Sequence, residues 1–183
     1  MSTPAGEEAR QANLLGALSL AVAERLEAAT QKAAGQGGSS PAALAALSQF
    51  LDGSSIDTLR RPLGLTHSAT VRLTDRLAEA GLVRREPGPD ARSVSIRLTP
   101  AGRRAATRVL AEREAALRAL LEPLDEGDRA ALGSVSEKLL FGLTADRSAA
   151  RHICRMCDGY ACGHEQGRCP VTRAADHAES IAS

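Results

Sequence analysis

Apolar residues recur at three- and four-residue steps along most of the chain, the repeat of one face of an α-helix. From residue 7 to residue 34 the stripe is Leu15, Leu18, Val22, Leu26 and Ala29. The run Gly-Gln-Gly-Gly-Ser-Ser at 35–40 ends it, because glycine-rich polar runs break helices. Ser40 then caps a second helix with Pro41 in its first position, and Leu44, Leu47, Phe50 and Leu51 form its apolar side as far as Gly53. A shorter helix over about 55–63 turns Ile56 and Leu59 inward. After Gly64 and Leu65, Thr66 caps a helix that runs to about Ala80, with Ala69, Leu73, Leu77 and Ala80 on one stripe and Gly81 at its C-terminal end. Two helices joined by a tight glycine-containing turn form a helix-turn-helix unit.

The period then changes. Leu82 and Val83 begin an extended segment, Glu86-Pro87-Gly88-Pro89-Asp90 forms a turn, and residues 93–99 alternate polar and apolar, so the segment reads as a two-stranded hairpin. Thr99 and Pro100 start another helix that reaches about Glu122, and Asp125 restarts helix with Leu132, Val135, Leu139 and Leu143 as its buried stripe. Beyond residue 150 the helical repeat stops. The fold class expected is mainly α: a winged helix-turn-helix with a two-stranded β-wing, flanked by N- and C-terminal helices. The divisions fall at 1–40 (helix and loop), 41–104 (winged unit), 105–150 (C-terminal helices) and 151–183 (cysteine-rich tail).

Composition fits helix packing: alanine and leucine dominate, with one Tyr, two Phe and no Trp. The net charge of +1 hides an uneven distribution. Residues 55–104 carry 10 Arg against 5 acidic side chains, while acids outnumber bases in 1–54 and in 105–150. A local arginine excess is the footprint of a nucleic-acid surface or of a solvated charged face. No apolar run is long enough for a membrane span, and Glu7, Glu8 and Arg10 interrupt the place of a signal peptide, so the expected location is cytoplasmic. No Ser-His-Asp set, paired carboxylates or phosphate-binding glycine loop stands out, and no enzyme activity is expected.

The run Gly-Leu-Thr-His-Ser-Ala-Thr-Val-Arg-Leu-Thr-Asp-Arg-Leu-Ala-Glu-Ala-Gly-Leu-Val at 64–83 continues with Arg84-Arg85, then Asp90-Ala91-Arg92, then Ile96-Arg97-Leu98-Thr99-Pro100-Ala101-Gly102. In this order the chain resembles the MarR family of transcriptional regulators over roughly residues 10–145. The resemblance implies a recognition helix in the major groove of double-stranded DNA and a wing beside it. The exposed side of the 66–80 helix offers Thr66, His67, Ser68, Val71 and Arg72 to base edges. Arg76 is placed for phosphate. Arg92 stands where the family places an arginine in the minor groove, with Asp90 orienting the loop. Thr66 is also a helix cap, and Arg76 or Arg85 has Asp75, Glu79 or Glu86 as alternative partners. The family further implies a homodimer on a palindromic operator, built from the helices at 7–34, 100–122 and 126–143, and a small-molecule effector between those helices and the winged unit.

The tail reads Cys154-x2-Cys157-x4-Cys162-x6-Cys169. A Cys-x2-Cys knuckle brings two thiolates to one ion, and two more within a dozen residues complete a tetrahedron. Structural zinc is the leading expectation, with His152 and His164 as reserve ligands and Arg151, Arg155, Arg168 and Arg173 offsetting the thiolate charge. An iron–sulfur cluster uses four cysteines equally well, although this spacing departs from the ferredoxin runs. A redox switch of the knuckle thiols is a third alternative. A thiol oxidoreductase using Cys154 and Cys157 is a remote one, because no βαβ pattern surrounds the knuckle.

Overall fold

The computed structural model describes residues 4–88 and 94–182. Its elements run α1 (Pro4–Ala34), α2 (Ser40–Ala46) continuing as a π-helical turn (Leu47–Leu51), β1 (Ser54–Ser55), α3 (Ile56–Leu63), α4 (His67–Glu79), β2 (Val83–Pro87), β3 (Val94–Leu98), α5 (Pro100–Leu121), α6 (Glu126–Leu143), α7 (Arg147–Ile153), a 3-10 turn (Cys154–Met156) and α8 (Pro170–Ala182). Among the described residues no helix is long and apolar enough to cross a membrane.

The winged unit is built around α2. Its small side chains Ala42, Ala43, Ala45 and Ala46 are buried with Leu44 and Leu47, and alanine lets neighbouring helices approach closely. Leu59 and Leu63 of α3, Leu73 and Leu77 of α4, Val83, Ile96 and Leu98 of the sheet, and Ala105, Ala106 and Val109 of α5 close the core around it. Caps fix the helix starts: Thr66 Oγ1 accepts from Ala69 N at 3.2 Å, and Thr99 Oγ1 accepts from Gly102 N at 3.0 Å. Asp125 and Asp128 form a reciprocal capping box at the start of α6. Gly64 takes φ 64° at the end of α3, a left-handed turn that points the chain into α4.

Several details differ from the sequence pattern. The hairpin gains a third strand: β1 pairs antiparallel with β3 (Ser54 with Ile96), and β3 pairs antiparallel with β2 (Val83 with Leu98, Pro87 with Val94). Ser40 lies inside α2, after Ser39, and its buried hydroxyl has no hydrogen-bond partner. The π turn shifts the register by one residue, so Phe50 leaves the core stripe and is exposed. In α4 the inward face carries Thr70 and Thr74 instead of Ala80. Their hydroxyls donate to the carbonyls of Thr66 at 2.9 Å and Thr70 at 2.8 Å, which removes the cost of burying them.

The stripe expected to be buried on α6 is exposed. None of its residues is buried, and Leu132, Val135, Leu139 and Leu143 all face outward. The stripe of α1 divides: Leu15 and Leu18 are exposed, while Val22, Leu26 and Ala29 are half-buried, on the helix whose last turns seat Thr30 and Ala34. The tail is helical at both ends, and a second small core forms there from Ala150, Cys169, Val171 and Ala175, with Leu140, Ile153, Cys154 and Cys162 against it.

Candidate nucleic-acid interface and cysteine site

Helix α4 presents a polar face. Thr66, His67, Ser68, Arg72 and Arg76 are exposed and Val71 is half-buried, opposite the buried Leu73 and Leu77. Thr66 Oγ1 lies 3.3 Å from Ser68 Oγ, and His67 Nδ1 lies 3.3 Å from Asp57 Oδ1. The Asp57 carboxyl is held below its ordinary value, chiefly by its hydrogen bond with Arg60 and then by His67. Arg72 and Arg76 hold no ion pair among the described residues, so both cations are available to an external anion. Their neighbours in the wing are committed: Arg85 pairs with Asp75 at 2.6 Å, and Arg84 and Arg97 both pair with Glu86 at 2.7 Å. Of the internal pairings weighed from the sequence, the one at Arg85 forms. That pair ties the wing's first strand to α4, and Thr99 Oγ1 donating to Gly81 O at 2.7 Å ties its end to the same helix. Helix α4 and the hairpin are thereby held together. Arg92 and Asp90 lie outside the described residues.

The four cysteines are brought together. All of them line one cavity of about 400 Å³, whose wall also includes Gln49, Phe50, Tyr160 and His164. None forms a disulfide. Cys169 is buried and the others half-buried. Cys154 and Cys157 influence each other's protons, and Cys162 Sγ donates to Gly159 O at 3.4 Å. Cys157 is the thiol that gives up its own first, at about 6, because of its interaction with Cys154 and the nearby charges of Arg113 and Arg155, while Cys154 is pushed up by the same interaction. Burial and the charge of Cys169 push Cys162 up. Among the described residues no group of three or more His, Cys, Asp or Glu is placed to hold a metal ion. The two reserve histidines separate. His164 reaches the cavity while its Nδ1 meets Thr172 Oγ1 at 2.9 Å, and His152 turns away, its Nδ1 2.8 Å from the Pro62 carbonyl.

Arg147 bridges α7 and α8 by bonds to Asp176 at 2.6 Å and to Glu179 at 2.9 and 2.7 Å. Those bonds, with Glu179 first, hold its guanidinium firmly protonated. Sequence reasoning did not reach Gln49, Phe50 or Arg113 as neighbours of the tail. The first two lie in the π turn, and the third acts on Cys157 through its charge.

No family model matches the chain, and no curated protein matches it by sequence. Solved structures do. The chain is similar to a MarR-family transcriptional regulator from Silicibacter pomeroyi at 31% identity, covering 71% of this chain and 90% of that one, with a TM-score of 0.54. It shares its fold with the YusO protein of Bacillus subtilis (22% identity, 75% and 97% covered, TM-score 0.65) and with a MarR-family protein from Bacillus stearothermophilus (24% identity, 75% and 96% covered, TM-score 0.63). With an exposed arginine-bearing helix seated beside a β-hairpin on this shared scaffold, the chain belongs to the MarR family of transcriptional regulators.

Proposed function

We propose that the protein binds duplex DNA as a homodimer and controls transcription from a palindromic operator. The observation that carries this is the face of α4: Arg72 and Arg76, without an ion pair among the described residues, beside Thr66, His67, Ser68 and Val71, tied to the wing by the Arg85–Asp75 pair. Hydroxyl and guanidinium groups bond base edges and phosphates, and Val71 suits a thymine methyl. The family resemblance assigns Arg92 to the minor groove. One recognition helix covers few base pairs, so a two-fold dimer supplies the second half-site. The exposed leucines of α1 and the uncovered stripe of α6 support that pairing, because surfaces this apolar mark interfaces. Fluorescence anisotropy with a duplex spanning the protein's own promoter region tests the reading. Binding of two chains per site, weakened by Arg92→Ala, is expected; equal affinity for the Arg92→Ala protein rules out the wing contact.

The tail is, on the same reading, a metal site formed by the thiolates of Cys154, Cys157, Cys162 and Cys169. Its ligand spacing alone favours a single zinc ion in a structural role, and metal analysis of the purified protein tests it.

A further inference from the structure

The tail after residue 145 lies outside the stretch that resembles the MarR family, yet it packs against two separate parts of the chain. On one side α8 packs along α6, and a small core joins Leu140 of α6, Ala150 and Ile153 of α7, and Val171 and Ala175 of α8. Phe141 adds a ring contact with His177, with centroids 6.3 Å apart. Leu140 is off the outward stripe of Leu132, Val135, Leu139 and Leu143, so the tail leaves the proposed dimer surface of α6 open. Arg147 joins α7 to α8 through Asp176 and Glu179. On the other side α7 packs against α3, and the 3-10 turn packs against α2 and α3. Met156 reaches the main core of the winged unit, and Gln49 Oε1 of the π turn accepts from Gly159 N at 3.4 Å. A continuous packed path therefore runs from α6 through α8 and α7 to α3.

That path ends on the turn that sets the recognition helix. An α-helix leaves its last carbonyls without donors of its own. At the end of α3, Gly64 N and Leu65 N donate to the carbonyls of Arg61 and Arg60, at 3.1 Å each. The carbonyl of Pro62 lies 2.8 Å from His152 Nδ1; a carbonyl only accepts, so Nδ1 is the donor. The imidazole also stands against Gly64, whose φ of 64° turns the chain toward Thr66, the cap of α4. A side chain of the tail thus completes the turn between the two helices of the helix-turn-helix.

We propose that the tail is a strut that fixes the orientation of the winged unit against α6, and that His152 is its positioning residue, setting which half-site spacing the dimer accepts. This rests on the reading above of a DNA-binding dimer with α6 at its interface. In a two-fold dimer, a rotation of each winged unit against α6 changes the separation of the two α4 helices. Half-sites must match that separation, at about 10 base pairs centre to centre or a multiple of it. A strut that resists the rotation favours one spacing over its neighbours.

The test uses the full-length protein as isolated, a duplex spanning its own promoter region, and the same duplex with one base pair inserted or removed at the centre of the site, read by fluorescence anisotropy. One base pair shifts a half-site by about 3.4 Å. The native chain is expected to prefer the unaltered duplex by at least about tenfold. His152→Ala is expected to cut that preference to about threefold or less, by weakening binding to the unaltered duplex alone. His152→Asn, whose amide donates from the place of Nδ1, restores the preference. Arg147→Ala, which parts α8 from α7 without touching the winged unit, narrows it as His152→Ala does. Loss of affinity by one factor on all three duplexes overturns the positioning role, as does a His152→Ala protein with the native preference or a native chain that binds the three alike. Each of these leaves DNA binding itself standing. A native chain that binds no duplex refutes that reading instead, a separate failure.

Discussion

Leu18 of α1 is 55% exposed, with Leu14 and Leu15 beside it at 49% each. Fully burying a leucine stabilises by about 1.5–3 kcal/mol, so the half of Leu18 still open in one protomer is worth about 1 kcal/mol when a partner covers it. Leu18→Ala removes most of that. In a two-fold interface the same substitution acts twice, giving about 2 kcal/mol and a dimer dissociation constant roughly thirtyfold weaker. The protomer itself loses nothing, since Leu18 is not part of its core. Sedimentation equilibrium on native and substituted chains measures the constant, and thermal unfolding monitored at high dilution measures the protomer. A native chain that is monomeric at micromolar concentration, or a dimer constant unmoved by Leu18→Ala, refutes the assignment of α1 to the interface. A large drop in protomer stability refutes it differently, by showing that Leu18 packs within its own chain.

Two further substitutions probe the winged unit. A Cβ at Gly102 would collide with the Leu82 carbonyl oxygen, so Gly102→Ala must push the start of α5 away from the chain just before β2; a loss of about 3 kcal/mol in urea unfolding is expected, and an unchanged midpoint contradicts this packing. Asp57 places a carboxylate beside His67, on the face proposed to meet DNA. A charge about 10 Å from a phosphate in water costs about 0.4 kcal/mol, so Asp57→Asn in both protomers should tighten operator binding roughly fourfold at low salt, where screening is weakest; weaker binding would mean that Asp57 instead positions His67 for a contact.

The start signals of the helices were readable because they are local. Thr66 and Thr99 cap through bonds three residues along the chain, and the alternation at 94–98 depends only on neighbours. Much of what was lost has long-range causes. A periodic stripe has the same spacing whether its own chain or a second copy covers it, which is why α6 reads as buried and stands exposed. The π turn at Leu47–Leu51 lies where the tail docks more than a hundred residues later, and the sequence around Phe50 carries no mark of it. Thr70 and Thr74 look polar in the sequence, yet each satisfies its hydroxyl on the carbonyl four residues back and joins the core face. At the tail, the spacing of four cysteines suggests a shared site, but only the folded chain places Gln49 and Phe50 on the wall of the cavity they line and turns His152 away from it.

The salt dependence of operator binding tests the central claim most directly. If Arg72, Arg76 and Arg92 of each protomer each neutralise one phosphate, six contacts give a log–log slope of about −5 against salt concentration. The double substitution Arg72→Ala, Arg76→Ala removes four of them and should flatten the slope to about −2. A native slope near zero, or one that the double substitution leaves unchanged, would contradict the assignment of α4 to the DNA surface.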